Sequence, residues 1–141
     1  MNALQKARTQ LLAGGCTLVL CRGDEMITDT RRGVAPLLAI LDACGERRGF
    51  SAADKVVGKG AAFLYRLLGV DAVYAAVISE SALAVLQQGG IAVEYGCCVP
   101  YIQNRTGEGR CPIEQAVLGV VDPNEALALI RRRLQQLQSQ S

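Results

Sequence analysis

Ala72-Val-Tyr-Ala-Ala-Val-Ile78 is apolar at every position, the pattern of a central strand covered on both faces. Ile91-Ala-Val-Glu-Tyr95 predicts a second strand. Between them lies a helix over 82–88, capped by Ser79 or Ser81 and stopped by Gly89-Gly90. Two strands joined through a helix are parallel neighbours with a right-handed crossover. This unit decides the fold class.

The chain upstream adds a different pairing. Residues 17–21 and 26–29 are short β-rich runs around Gly23-Asp24, a two-residue hairpin signal. Arg22-Gly23-Asp24 is therefore read as a turn. One antiparallel pair beside a parallel pair makes the sheet mixed. Residues 2–13 carry apolar side chains at 3, 4, 7, 11 and 12, an amphipathic helix closed by Gly14-Gly15. Pro36 suits the first turn of a helix that runs to Cys44 and ends at Gly45. Ser51 is the expected N-cap of a helix over 52–68, terminated by Gly69.

Downstream, 99–102 reads as an extended edge, where Pro100 is tolerable. A glycine-bearing loop over 104–110 leads to a helix from Pro112 to about Val120. Asp122-Pro123 opens the last helix, 125–138, whose end frays into Gln and Ser. The whole predicts one α/β domain over 1–141, a three-layer α/β/α arrangement with a mixed sheet. An N-terminal helix occupies 1–14 and a C-terminal one 124–141.

Composition narrows the chemistry. The 141 residues include six cysteines and no histidine, with a net charge of +2. Without histidine there is no Ser-His-Asp or Cys-His pair, no His-Glu-x-x-His zinc site and no imidazole proton shuttle. So small a charge argues for neither nucleic acid nor membrane as partner. No run reaches the 18 apolar residues of a membrane span, and the first fifteen residues do not read as a signal peptide. A cytoplasmic protein with reduced thiols is the expectation.

Four strings carry a resemblance. They are Asp54-Lys-Val-Val-Gly-Lys59-Gly-Ala-Ala62, Tyr74-Ala-Ala-Val-Ile-Ser79-Glu80, Val99-Pro-Tyr101 and Asn104-Arg105 followed by Gly109-Arg-Cys111-Pro-Ile-Glu114. Over roughly 15–130 the chain resembles the domain-of-unknown-function family 1893, and its element order is similar to the cytidine deaminase-like fold. That resemblance implies a deaminase-like frame, but not the deaminase reaction. The zinc enzymes of that superfamily place His-x-Glu at one helix start and Pro-Cys-x-x-Cys at the next. The corresponding stretches here, 53–60 and 79–83, contain no His and no Cys. Zinc-dependent deamination is excluded, and neither metal nor cofactor is expected.

Several residues remain as candidates. Cys111-Pro112-x-Glu114 puts a thiol at a helix N-cap, where the positive helix end favours a thiolate. The plainer reading is an improvised capping box between Cys111 and Glu114. Gly58-Lys59-Gly60 places two glycines in the expected helix, each costing near ~1 kcal/mol. Either close packing offsets that cost, or space is being kept for a ligand beside Lys59. Asp54 falls at N3 if Ser51 is the cap. A phosphate loop is not matched, because it would need Gly at 53 and Ser or Thr at 60, where Ala53 and Gly60 stand.

The loop with Asn104 and Arg105 is either an anion cradle or an ordinary surface turn. The other cysteines, at 16, 21, 44, 97 and 98, form no Cys-x-x-Cys, and most of them read as small core residues. Together these residues suggest a pocket for a small anionic or nucleotide-like metabolite. Cys111 and Lys59 would be its chemical groups, and Asp54, Ser79, Glu80, Asn104, Arg105 and Glu114 its binding groups. The alternative is a non-catalytic binding or oligomerisation module, a homo-oligomer formed through the hairpin edge.

Overall fold

The structure, a computed structural model, describes residues 2–103, 107 and 109–139. Five strands form one mixed sheet in the order β2-β1-β3-β4-β5. The hairpin is β1 (Leu18–Arg22) and β2 (Glu25–Asp29), antiparallel, turning at Gly23 with φ +57°. Strand β3 (Ser51–Val57) runs antiparallel to β1 and parallel to β4 (Ala72–Ser79). The predicted parallel pair is β4 with β5 (Ala92–Val99). The edge expected at 99–102 is thus in part the end of β5, and Pro100 lies just beyond it.

The main correction falls on β3. A helix over 52–68 with Ser51 as cap was the expectation; the helix instead begins at Lys59, and Ser51–Val57 is a strand. Ser51-Ala-Ala carries good helix formers, but it sits at the middle of the sheet. Ala53 meets Ala7 and Leu11 of helix α1 (Ala3–Ala13) on one face, and Ala52 meets the main core on the other. Small side chains there let helices approach the sheet from both sides, and that burial overrides local propensity. Asp54 is therefore a strand residue and not an N3 carboxylate.

The remaining helices are α2 (Ala35–Cys44), α3 (Lys59–Leu68), α4 (Glu80–Gln88), α5 (Pro112–Ala116) and α6 (Pro123–Ser139). Helix α2 starts with Pro36 in its first turn and stops at Gly45 as expected. Helix α5 is much shorter than the predicted span. Helix α1 packs alone on one face, with Ala7 and Leu11 against Val19, Cys21, Ala53 and Tyr74. The other five helices bury the opposite face around Phe50, Phe63, Leu64, Leu68, Ile78 and Ile130. Among the described residues no helix is long and apolar enough to cross a membrane.

One row of the sheet is irregular. Lys55, Ala76 and Gly96 are missing from both parallel ladders, which resume at Val56, Val77 and Cys97. The inward face shifts by one residue there: Ala52, Val73 and Val93 pack on the five-helix side before the row, and Val57, Ile78 and Cys98 after it. A Cβ on Gly96 would lie 2.9 Å from the Ala76 carbonyl oxygen. Backbone cannot move aside as a side-chain tip can. Gly96→Ala is expected to cost about 1–3 kcal/mol, read as a lower urea midpoint with an unchanged slope.

Candidate functional site

Helices α3 and α4 begin side by side at the end of the sheet where β3 and β4 finish, and their first turns meet at Glu114. Ser79, fully buried, caps α4 by accepting from the Ala82 N–H at 3.2 Å. Its hydroxyl lies 3.3 Å from that of Ser81, and the Ser81 hydroxyl donates to Glu114 Oε1 at 3.2 Å. Glu114 Oε2 accepts from the Ile102 N–H at 2.6 Å. The glutamate is only 2% exposed, so both of its oxygens are spent on partners inside the protein.

The two glycines explain themselves in this setting. Gly58 is the N-cap of α3, and a Cβ there would lie 3.3 Å from Ile102 Cγ1 and 3.8 Å from Glu114 Cδ. A Cβ on Gly60 would meet Ile113 Cγ2 at 2.7 Å. Close packing is what Gly58-Lys59-Gly60 provides: a smooth seat for α5 against α3.

Lys59 stands at the first position of α3, its ammonium 5.8 Å from the centre of the Phe63 ring. With Ser81, Gln88, Val120 and Val121 it lines an open groove of about 210 Å³. Ligand pockets usually run from roughly 300 to 1,000 Å³, so the groove is small and shallow.

Cys111 is the N-cap of α5, but its side chain forms no capping hydrogen bond. Its N–H donates to the Ile102 carbonyl at 2.8 Å, and its half-buried side chain packs on the core. The capping box expected between Cys111 and Glu114 is not formed, because the glutamate turns toward Ile102 and Ser81. Glu80 is exposed in the first turn of α4. Asn104 and Arg105 lie outside the described residues. Lys59, Ser79 and Glu114 thus converge with Ser81, whereas Asp54 does not join them.

Asp54 belongs to a second buried polar pair. From β3 it accepts a 2.7 Å hydrogen bond from the hydroxyl of Tyr65, which α3 buries completely. The residue as a whole is half-buried, and its carboxyl Oδ1 accepts from the Val56 N–H at 3.3 Å. Burial pushes that carboxyl up to about 7, against the opposing pull of the Tyr65 hydrogen bond. Burial, and then the neighbouring Asp54, raise the Tyr65 phenol well above its ordinary value. Sequence reasoning missed Tyr65. The available signal was that a tyrosine inside an apolar helix face requires a polar partner.

A metal does not fit this place. The stretches 53–60 and 79–83 supply no imidazole or thiolate, and the buried carboxylate is already bonded on both oxygens. Among the described residues no group of three His, Cys, Asp or Glu side chains is arranged to hold a metal ion. Cys16 and Cys21 are buried, Cys97 is exposed, and none of the described cysteines is bridged.

Comparison with known proteins places the chain. No curated protein matches it. A crystal structure of a DUF1893 family protein from Thermotoga maritima is similar, with a TM-score of 0.85 and 27% identity. The match covers 96% of this chain and 90% of that one. The profile described as "TM1506: Domain of unknown function (DUF1893)" matches residues 6–134. The whole sheet, helices α2 to α5 and most of α1 and α6 fall inside that span, and the chain belongs to the DUF1893 family.

Proposed function

We propose that this chain is a non-catalytic interaction module on a zinc-free, cytidine deaminase-like frame, and that it assembles with a second copy through β5. The frame is supported by the element order: helix, hairpin, helix, then strands alternating with helices. Against chemistry at the α3 and α4 starts stand a carboxylate bonded on both oxygens and a groove too small for most ligands.

The observation that carries the assembly is the character of β5. It is an eight-residue edge strand with a single charge, Glu94, and Tyr95 on it is 46% exposed. Natural sheet edges are usually blunted by charge, proline or brevity. The opposite edge is blunted in that way. Strand β2 has five residues, and pairing it two-fold about Ile27 would set Glu25 against the partner's Asp29. No such opposition of charges arises along β5, except in a register centred on Glu94 itself. Helix α1 packs mainly on β1 and β3 and less on β4, so the apolar row Val56, Val77 and Cys97 continues toward this edge on the less covered face.

Sedimentation equilibrium of the full chain across the micromolar range tests the assembly. A monomer–dimer equilibrium is expected, shifted to folded monomer by Tyr95→Lys. A strictly monomeric wild type, or a dimer indifferent to Tyr95→Lys, would overturn it. A second reading rests on the groove beside Lys59 and Ser81: a small anionic or nucleotide-like metabolite held there by the ammonium. The two readings predict opposite results in a ligand screen.

A further inference from the structure

Helix α5 has five residues and no side-chain cap, too short to be stable on its own. Two of its side chains hold it in place. Ile113 fills the notch left by Gly60, and Glu114 reaches the point where α3 and α4 begin. Those helices are 10 and 9 residues long, and each N-terminus carries the equivalent of roughly half a positive charge. The carboxylate is seated there: a Cβ added to Gly58 at the start of α3 would lie 3.8 Å from its Cδ, Ser81 in the first turn of α4 donates to it, and the Ile102 N–H donates at 2.6 Å.

We propose that the Ile102 N–H, the Ser81 hydroxyl and the N-termini of α3 and α4 form a carboxylate receptor whose resident ligand is the chain's own Glu114. This internal anion takes the place of the zinc centre that the resembled fold builds at the same two helix starts. Only that metal comparison rests on the deaminase-like reading; the receptor does not, and neither part depends on assembly through β5. A metal centre ties two helix ends together with thiolate and imidazole ligands. Here one carboxylate, brought by a third helix, ties them together with hydrogen bonds. Ile102 links the carboxylate to the start of α5. Its N–H donates to Glu114, and its carbonyl accepts from the Cys111 N–H.

The test is chemical rescue of the full chain, followed by thermal denaturation. Glu114→Ala removes the anion and leaves its two donors unanswered. Sodium formate, compared with sodium chloride at equal ionic strength, supplies a carboxylate small enough for the space. Glu114→Ala is expected to melt well below wild type and to regain at least half of that loss, saturably, in formate. Wild type should not respond. Glu114→Gln, whose amide fills the space and can still accept from Ile102, should melt between the two and ignore formate. Should Glu114→Ala not fold in buffer, formate must restore its folding. A formate response equal in wild type and variant, or none in either, overturns the receptor. A stoichiometric rise of the wild-type melting temperature with zinc overturns the substitution for a metal.

Discussion

Gly60→Val is expected to lower the stability of the folded chain by about 3 kcal/mol or more, and Gly60→Ala by about 1–2 kcal/mol. Glycine to alanine inside a helix ordinarily stabilises by near ~1 kcal/mol, since alanine has the better helix propensity. At Gly60 that gain is outweighed, because the new Cβ would lie 2.7 Å from Ile113 Cγ2 and 3.4 Å from Ile130 Cδ1. Ile113 is β-branched, so its Cγ2 moves only with χ1, and its side chain is itself buried. Valine adds two more methyl groups to the same notch and must push α5 off α3. Urea unfolding decides the sign. A lower midpoint for both variants supports the packing, whereas an alanine variant more stable than wild type would show that α5 does not rest on this surface.

The second large effect depends on pH. Burial under α3 raises the Asp54 carboxyl to about 7, against about 3.9 in an unfolded chain. Between those values the folded protein keeps a proton that the unfolded chain has released. Stability contributed by this group is therefore complete below about pH 4 and is lost as pH rises toward 7. The amplitude is at most on the order of 4 kcal/mol. Asp54→Asn removes the ionisation while its carbonyl oxygen can still accept from the Tyr65 hydroxyl. The variant should match wild type near pH 4, exceed it near pH 8, and show a flat profile between. A wild-type profile already flat over that window would contradict a carboxyl raised by burial under α3.

The acid limb belongs to another group and does not overlap with this one. Arg31 beside Asp29 holds that carboxyl at about 2, so its contribution is present above about pH 4 and lost as pH falls toward 2. That contribution is small, because the guanidinium of the pair is largely exposed to water. Asp29→Asn is expected to change stability by under about 1 kcal/mol at neutral pH, as measured by urea midpoint.

Much of this architecture is written locally. Gly23-Asp24 between two β-rich runs encodes the hairpin, Pro36 and Gly45 bracket α2, and Ser79 caps the helix that links β4 to β5. Each of these signals acts within a few residues of the structure it sets. Strand β3 is different. Ser51-Ala-Ala-Asp has the composition of a helix start, and only the neighbours β1 and β4, with α1 behind, make it a strand.

The site was legible in its location more than in its bonds. Lys59, Ser79 and Glu114 come together where two helices begin, and Gly60 packs as the plainer reading of the glycines held. The Glu114 partners were beyond reach, since Ile102 and Ser81 lie 12 and 33 residues away in the chain. Cys111 occupies its expected helix end, but the glutamate that would have completed a capping box is engaged elsewhere. For Asp54 the spacing argument failed with the helix it assumed, and its true partner, Tyr65, is set by the packing of α3 across β3.

The ends of α3 and α4 are either closed by the protein itself or open to a ligand. Thermal denaturation of the full wild-type chain against nucleotides and phosphorylated metabolites measures this directly, because a ligand that binds only the folded state raises the melting temperature by mass action. No compound in that set is expected to raise it. A saturable rise with any one of them, lost in Lys59→Ala, would contradict the closed site and establish the groove beside Lys59 as a binding pocket.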